Sequence, residues 1–233
     1  PHETTGWLSA RFDIERRLVL LQTSDSLYPM LPRVIRRVRA MLDLDADPAA
    51  INTALHPYFP DGDGLRVPGA FDGFELAVRA VLGQQITVAA ARTLASRLVA
   101  RFGEPVVTPE PGLDRLFPQA SALATLGEAA GDALGQLGIV RQRQAAIVAL
   151  SQAVAGGLQL HPGCDVQATM LALKALPGIG DWTAQYIAMR ALRWPDAFPS
   201  GDVALHTALG VRGERQPARA AEAASLAWKP WRS

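Results

Sequence analysis

The stretch that most constrains this chain is Leu176-Pro177-Gly178-Ile179-Gly180, set between two segments of helical periodicity. Pro177 stops the preceding helix, because proline lacks an amide hydrogen and clashes with the turn before it. Gly178 and Gly180 admit backbone conformations with φ > 0 that a Cβ would penalise. A helix starting near Asp181 then presents unpaired N–H groups at its positive end. Such a hairpin is a compact anion site, suited to a phosphodiester gripped without reading any base. Pro-Gly followed by a second Gly is also ordinary loop punctuation, so the five residues alone leave both readings open.

Composition bounds the alternatives. With 233 residues, 49% hydrophobic and 19% charged, the chain is globular and can bury one good core or two modest ones. Its one cysteine, Cys164, excludes an internal disulfide and a four-cysteine iron–sulfur or zinc site within the chain, and fits a reducing compartment. No apolar run approaches the roughly 18 residues of a membrane span. No charged-then-apolar leader opens the chain, which is expected to be cytoplasmic and, beginning at Pro1, reads as a fragment of something longer. A formal charge of +1 argues against a broad electrostatic binder and for a small anionic footprint served by local basic patches.

Along the chain, Trp7–Ile14 and Arg17–Thr23 look like short strands. A helix is predicted from about Pro29 to Leu42, with Leu31, Val34, Ile35, Val38 and Met41 on one face and Arg33, Arg36, Arg37 and Arg39 mostly on others. The Pro-, Gly- and Asp-rich segment His56–Gly69 then reads as a junction. Beyond it, helical patterns cover Phe74–Arg101 with a break at Gly83-Gln84-Gln85. More follow near Gln119–Leu126, Arg141–Ala155, Val166–Ala175 and Trp182–Leu192, and a last begins near Pro217. The expectation is mainly α: residues 1–69 form a small α/β lead-in and 70–233 an all-helical body, with helix–hairpin–helix at about 166–192.

Four blocks carry a family resemblance: "FELAVRAVLGQQITVAAARTLASRLVARFGEP", "LPGIGDWTAQYIAMRAL", "DAFPSGDVALHTALG" and the terminal "WKPWRS". In order and spacing they resemble the helix–hairpin–helix DNA glycosylase superfamily, most closely the bacterial 3-methyladenine DNA glycosylase II group. The resemblance covers nearly the whole chain. It implies an α/β domain shortened at its N-terminus and a final helix truncated after Ser233. It also implies a monomer that acts on double-stranded DNA containing a damaged base, flips that base out and hydrolyses its N-glycosidic bond in base excision repair. No cofactor is expected to be required.

On this reading Asp202, 22 residues after Gly180, carries the chemistry. Breaking an N-glycosidic bond builds positive charge on the deoxyribose, which a fixed carboxylate stabilises. One carboxylate suffices where the leaving base is already cationic, which favours N-alkylated purines. Ser200-Gly201-Asp202 is equally a good start for a helix over Val203–Leu209, and both roles are compatible. Trp182 and Tyr186, four apart on one helical face, form an aromatic pair able to sandwich an electron-poor purine. Packing in the core is the commoner fate of such a pair; the resemblance favours the pocket and adds Trp228 as a third wall. Lyase branches of the superfamily carry a lysine where this chain has Trp182. Water is therefore the expected nucleophile, and no lyase activity is expected.

Two departures from the family qualify the resemblance. Where relatives place an apolar wedge, this chain has Gln85 after Gln84, and both are kept as wedge candidates. Asp181, beside the phosphate hairpin, is expected to cap the following helix. The family's hairpin carbonyls, here those of Lys174, Leu176 and Ile179, imply a structural Na⁺ or K⁺. His2, His56, His161 and His206 show no metal-ligand spacing, and His206 reads as a surface residue. Two alternatives stay open: a non-catalytic helix–hairpin–helix DNA-binding module, and a glycosylase for an oxidised or deaminated base.

Overall fold

A computed structural model describes residues 4–233, so His2 lies outside the described residues. Strands β1 (Leu8–Asp13) and β2 (Leu18–Thr23) pair antiparallel, with Leu8 opposite Thr23 and Asp13 opposite Leu18. A 3₁₀ turn (Asp25–Met30) leads into α1 (Leu31–Met41). Of the expected apolar face of α1, Val34 and Val38 are buried with Leu27, packed against Leu8, Leu21, Leu42 and Phe71, whereas Ile35 is exposed. Helix α2 (Pro48–Leu55) was not anticipated. Its start is nonetheless written in the sequence, because Asp47 accepts hydrogen bonds from Ala49 N and Ala50 N and Pro48 occupies the first turn.

The body opens with α3 (Gly73–Leu82), capped by Asp72, whose carboxylate accepts from Glu75 N at 2.9 Å. After the Gly83–Thr87 break come α4 (Val88–Phe102), α5 (Ala120–Ala124), α6 (Ala130–Gly135), α7 (Arg141–Ala155), α8 (Val166–Lys174), α9 (Asp181–Arg190), α10 (Val203–Ala208) and α11 (Pro217–Ser225). The expected boundaries hold closely for α3, α4, α7, α8 and α9; α6 was missed. Helix α3 packs on both α7 and α9. Val78, Val81 and Leu82 of α3, Ile147 and Leu150 of α7 and Ile187 of α9 are fully buried there. Each such side chain contributes about 1.5–3 kcal/mol by leaving water. This packing brings the loop after α3 and the start of α9 together.

The predicted junction is pinned between lead-in and body. Gly69 N donates to Met41 O at 2.8 Å and Ala70 N to Arg190 O at 2.9 Å. A Cβ on Gly69 would stand 2.8 Å from Ala40 O, so only glycine fits. Arg193 of the body donates to Val67 O and pairs with Asp43 of the lead-in. Among the described residues no helix is long and apolar enough to cross a membrane.

Candidate active site

The hairpin between α8 and α9 is held from beneath. Ile179 is 4% exposed and anchored in the core, its N–H bonded to Leu176 O at 3.3 Å, while Pro177 and Gly180 stay exposed. Gly178 has φ 76°, as expected, but Gly180 has φ −85° and ψ 179°, an extended conformation open to any residue. Glycine serves a different purpose at 180: a Cβ there would meet no protein atom within 4 Å, so the space over the start of α9 is clear. No side chain caps α9, and Ala184 N is bonded to Gly180 O. The first-turn amides of α9 therefore have no side-chain cap among the described residues. Asp181 does not cap the helix as expected. It is the first helical residue, and its carboxylate takes Lys174 Nζ at 3.4 Å across the hairpin.

The two wedge candidates separate. Gln84 Nε2 donates to Gly178 O at 2.9 Å and Thr183 Oγ1 at 3.1 Å, which uses both amide hydrogens. Gln84 is thus tied to the hairpin and is not free to enter a duplex, contrary to its candidacy. Gln85 is exposed and held at φ 55°.

Asp202 sits 20 residues beyond Trp182 in sequence and beside it in space, because α10 begins next to α9. Its Oδ1 accepts from Ala204 N at 2.8 Å and Leu205 N at 3.1 Å, and its Oδ2 from Trp182 Nε1 at 2.9 Å. The helix-capping role and the position beside the aromatic pair are therefore both realised. Burial is the largest single influence on this carboxyl and opposes ionisation. The Trp182 indole, the two amides and nearby His206 together outweigh it, holding the pKa below its ordinary 3.8. The lowered pKa favours the ionised form of this carboxylate at neutral pH. His206 is not on the surface as expected: it is 8% exposed, its Nε2 2.6 Å from Ser200 O, and so helps fix the loop before α10.

Trp182 and Tyr186 stack on each other, centroids 5.3 Å apart and planes 6° from parallel. No base fits between them, which corrects the sandwich reading; a base would stack on an outer face. One turn on, the Arg190 guanidinium lies 5.9 Å from the Tyr186 ring centre, a residue the sequence reading passed over although the 182, 186, 190 spacing announces it. Trp228, at the end of a 3₁₀ turn (Leu226–Trp228), packs edge-on against Phe59 at 5.0 Å and Phe198 at 6.4 Å. Its aromatic partners among the described residues do not include Trp182 or Tyr186. The chain after it is clamped by Arg232, bonded to Asp196 Oδ1 and Oδ2 at 2.6 and 2.9 Å and to Glu222 at 2.7 Å. Among the described residues no group of His, Cys, Asp or Glu is arranged to hold a metal ion.

Residues 1–72 match the AlkA N-terminal domain, and residues 78–233 match the HhH-GPD superfamily base excision DNA repair protein model. The chain is 43% identical over 205 residues to a probable bifunctional transcriptional activator/DNA repair enzyme AlkA of Mycobacterium tuberculosis, covering 84% of this chain. It spans only 40% of that relative's length. It is 34% identical to DNA-3-methyladenine glycosylase 2 of Escherichia coli, covering 99% of this chain and 79% of the relative. A solved 3-methyladenine DNA glycosylase from Archaeoglobus fulgidus shares the fold, with a TM-score of 0.73 over 94% of this chain and 76% of the other at 23% identity. The hairpin between α8 and α9, the carboxylate beyond it and the family match over residues 78–233 lead to one conclusion: the chain belongs to the HhH-GPD superfamily of base excision DNA repair proteins.

Proposed function

We propose that the chain is a monofunctional DNA glycosylase that removes N-alkylated purines of the 3-methyladenine type from duplex DNA. The observation that carries this reading is Asp202, with both oxygens fixed and its charge held ionised, touching the stacked Trp182–Tyr186 pair. Here the hairpin Leu176–Gly180 and the open first turn of α9 hold a phosphate, and Gln85 fills the place of the extruded base. The base stacks on an exposed aromatic face, where a cationic purine is attracted by the ring. Asp202 stabilises the positive charge that develops on the sugar, and water attacks it. With Trp182 where a lyase needs an amine, no covalent enzyme–sugar bond forms.

Residues 70–233 are read as the catalytic body, residues 1–69 as the lead-in, and Trp228 as an outer wall of the pocket. A monovalent cation suits the carbonyls of Lys174, Leu176 and Ile179, which are neutral oxygen donors; Leu176 O, which accepts from Ile179 N, keeps a second lone pair. Bound there, Na⁺ or K⁺ would add positive charge beside the phosphate. The enzyme works as a cytoplasmic monomer and needs no cofactor for the reaction itself. Base release from duplexes carrying alkylated, oxidised or deaminated bases, with Asp202→Asn beside wild type, tests the proposal. Release from oxidised or deaminated duplex alone would replace the lesion class, and no release from any would leave a DNA-binding module.

A further inference from the structure

Gln84 and Gln85 are neighbours in the loop joining α3 to α4, yet their side chains part company. Gln84 reaches across to the hairpin, 94 and 99 residues away in sequence, and bonds it at two points. One is the carbonyl of Gly178, the left-handed residue of the turn. That carbonyl shares a peptide plane with the Ile179 N–H, itself bonded to Leu176 O, so Gln84 fixes the rotation of the plane. The other is Thr183, 3% exposed in the first turn of α9. From a third side, Arg143 of α7 donates through Nη2 to the backbone carbonyl of Gln84 itself. Gln85 follows at φ 55°, a conformation that costs a non-glycine residue energy and persists only where its surroundings over-determine it.

We propose that Gln84 is a positioning residue that couples the wedge loop to the phosphate hairpin. Gln85 is aimed at the duplex only while the hairpin keeps its geometry, and by linkage whatever orders one segment orders the other. The proposal rests on the reading of Gln85 as wedge and of the hairpin as phosphate clamp, but the coupling itself is a property of the free protein.

The test uses the full chain with Gln84→Met, which keeps length and packing but loses both donors, and Gln84→Glu, which sets a carboxylate against the Gly178 carbonyl. Amide hydrogen exchange in the absence of DNA is the first measurement. Residues 83–86 and 178–183 should both exchange faster, by about tenfold, the weight of roughly two modest hydrogen bonds. Exchange at α7 and at Phe74–Val81 should be unchanged. The second measurement is base extrusion, followed by 2-aminopurine fluorescence beside an abasic analogue. Its rate, measured with enzyme saturating, should fall by a similar factor, while affinity for damaged and undamaged duplex weakens by equal factors because the loosened hairpin reads no base. Faster exchange in only one segment, or in neither, would overturn the coupling, as would normal extrusion in both variants. A wild type that extrudes no base would instead sink the glycosylase reading, and the exchange measurement would still decide the coupling.

Discussion

The indole N–H of Trp182 donates to Asp202 Oδ2 at 2.9 Å, joining the first turn of α9 to the first residue before α10. An aromatic residue proposed to hold the base and a carboxylate proposed to stabilise the sugar are thereby fixed relative to each other. Replacing Asp202 by Asn keeps a helix cap but turns an amide NH2 toward the Trp182 indole N–H, so thermal stability should fall by about 1 kcal/mol. Base release should fall by at least about a hundredfold while binding to an abasic duplex is retained, and a loss under about tenfold would reject Asp202 as the main electrostatic stabiliser.

The pKa of Asp202, lowered although its largest influence, burial, acts the other way, sets the direction of the pH dependence. A depressed carboxyl contributes stability that is fully present above its ordinary 3.8 and lost as the pH falls through the lower folded value. The acid limb of kcat/KM for base release, which reports the free enzyme, should accordingly lie on the acid side of the ordinary carboxylate range. Trp182→Phe preserves the ring but removes the hydrogen bond, so the limb should move upward. An unmoved limb would mean that the indole does not tune the carboxylate.

Because residue 182 is tryptophan, the product should be an intact abasic strand. Borohydride should trap no enzyme–DNA adduct, and strands should break only after added base or heat. A trapped adduct would reveal an amine nucleophile elsewhere in the chain.

The two hairpin glycines should fail differently. Gly180→Ala should fold normally, since its Cβ meets no protein atom and its φ is −85°. It should weaken binding to damaged and undamaged duplex by similar factors, because a phosphate clamp reads no base. Gly178→Ala should instead lose about 1–2 kcal/mol of stability from its left-handed backbone, with the new Cβ 3.0 Å from Ala146 Cβ. Loss of lesion preference in Gly180→Ala with undamaged-duplex affinity intact would contradict the clamp.

Arg232→Met should destabilise the fold by about 1–3 kcal/mol, since it leaves the partly buried Asp196 without its bidentate partner. Arg232→Lys should recover only part, a point charge being unable to serve two carboxylate oxygens as a guanidinium does. Thermal denaturation checks both, and equal melting of Lys and Arg forms would mean the fork geometry is unimportant.

What the sequence made legible was what short-range physics writes. Arg141–Ala155 and Val166–Lys174 carry several turns of apolar spacing, so their limits could be read closely. Ala130–Gly135 is six residues with glycine at 131 and 135, too short to show a period. Pro48–Leu55 carried a readable Asp-Pro start but sat beside a segment dominated by loop residues. At the candidate site, the expectations for Asp202 and Trp182 rest on their places in a motif. The bonds of Gln84 to Gly178 and Thr183, the burial of His206 and the anchoring of Arg232 depend on contacts between distant segments, which no local pattern encodes. The glycine at 180 misled because composition announces the residue, whereas only the backbone tells whether it is there for its torsion or for its emptiness.

The ion pair of Arg193 with Asp43 bears on where this protein can be divided. Both side chains are about 15% exposed, 15% and 14% respectively, and the guanidinium also holds Val67 O. Cutting the chain at residue 69 and separating the pieces would break this pair and open to water the contact that it closes. A fragment comprising only residues 70–233 would lack that contact, so the gap between the two family matches, at residues 73–77, is not a mechanical seam.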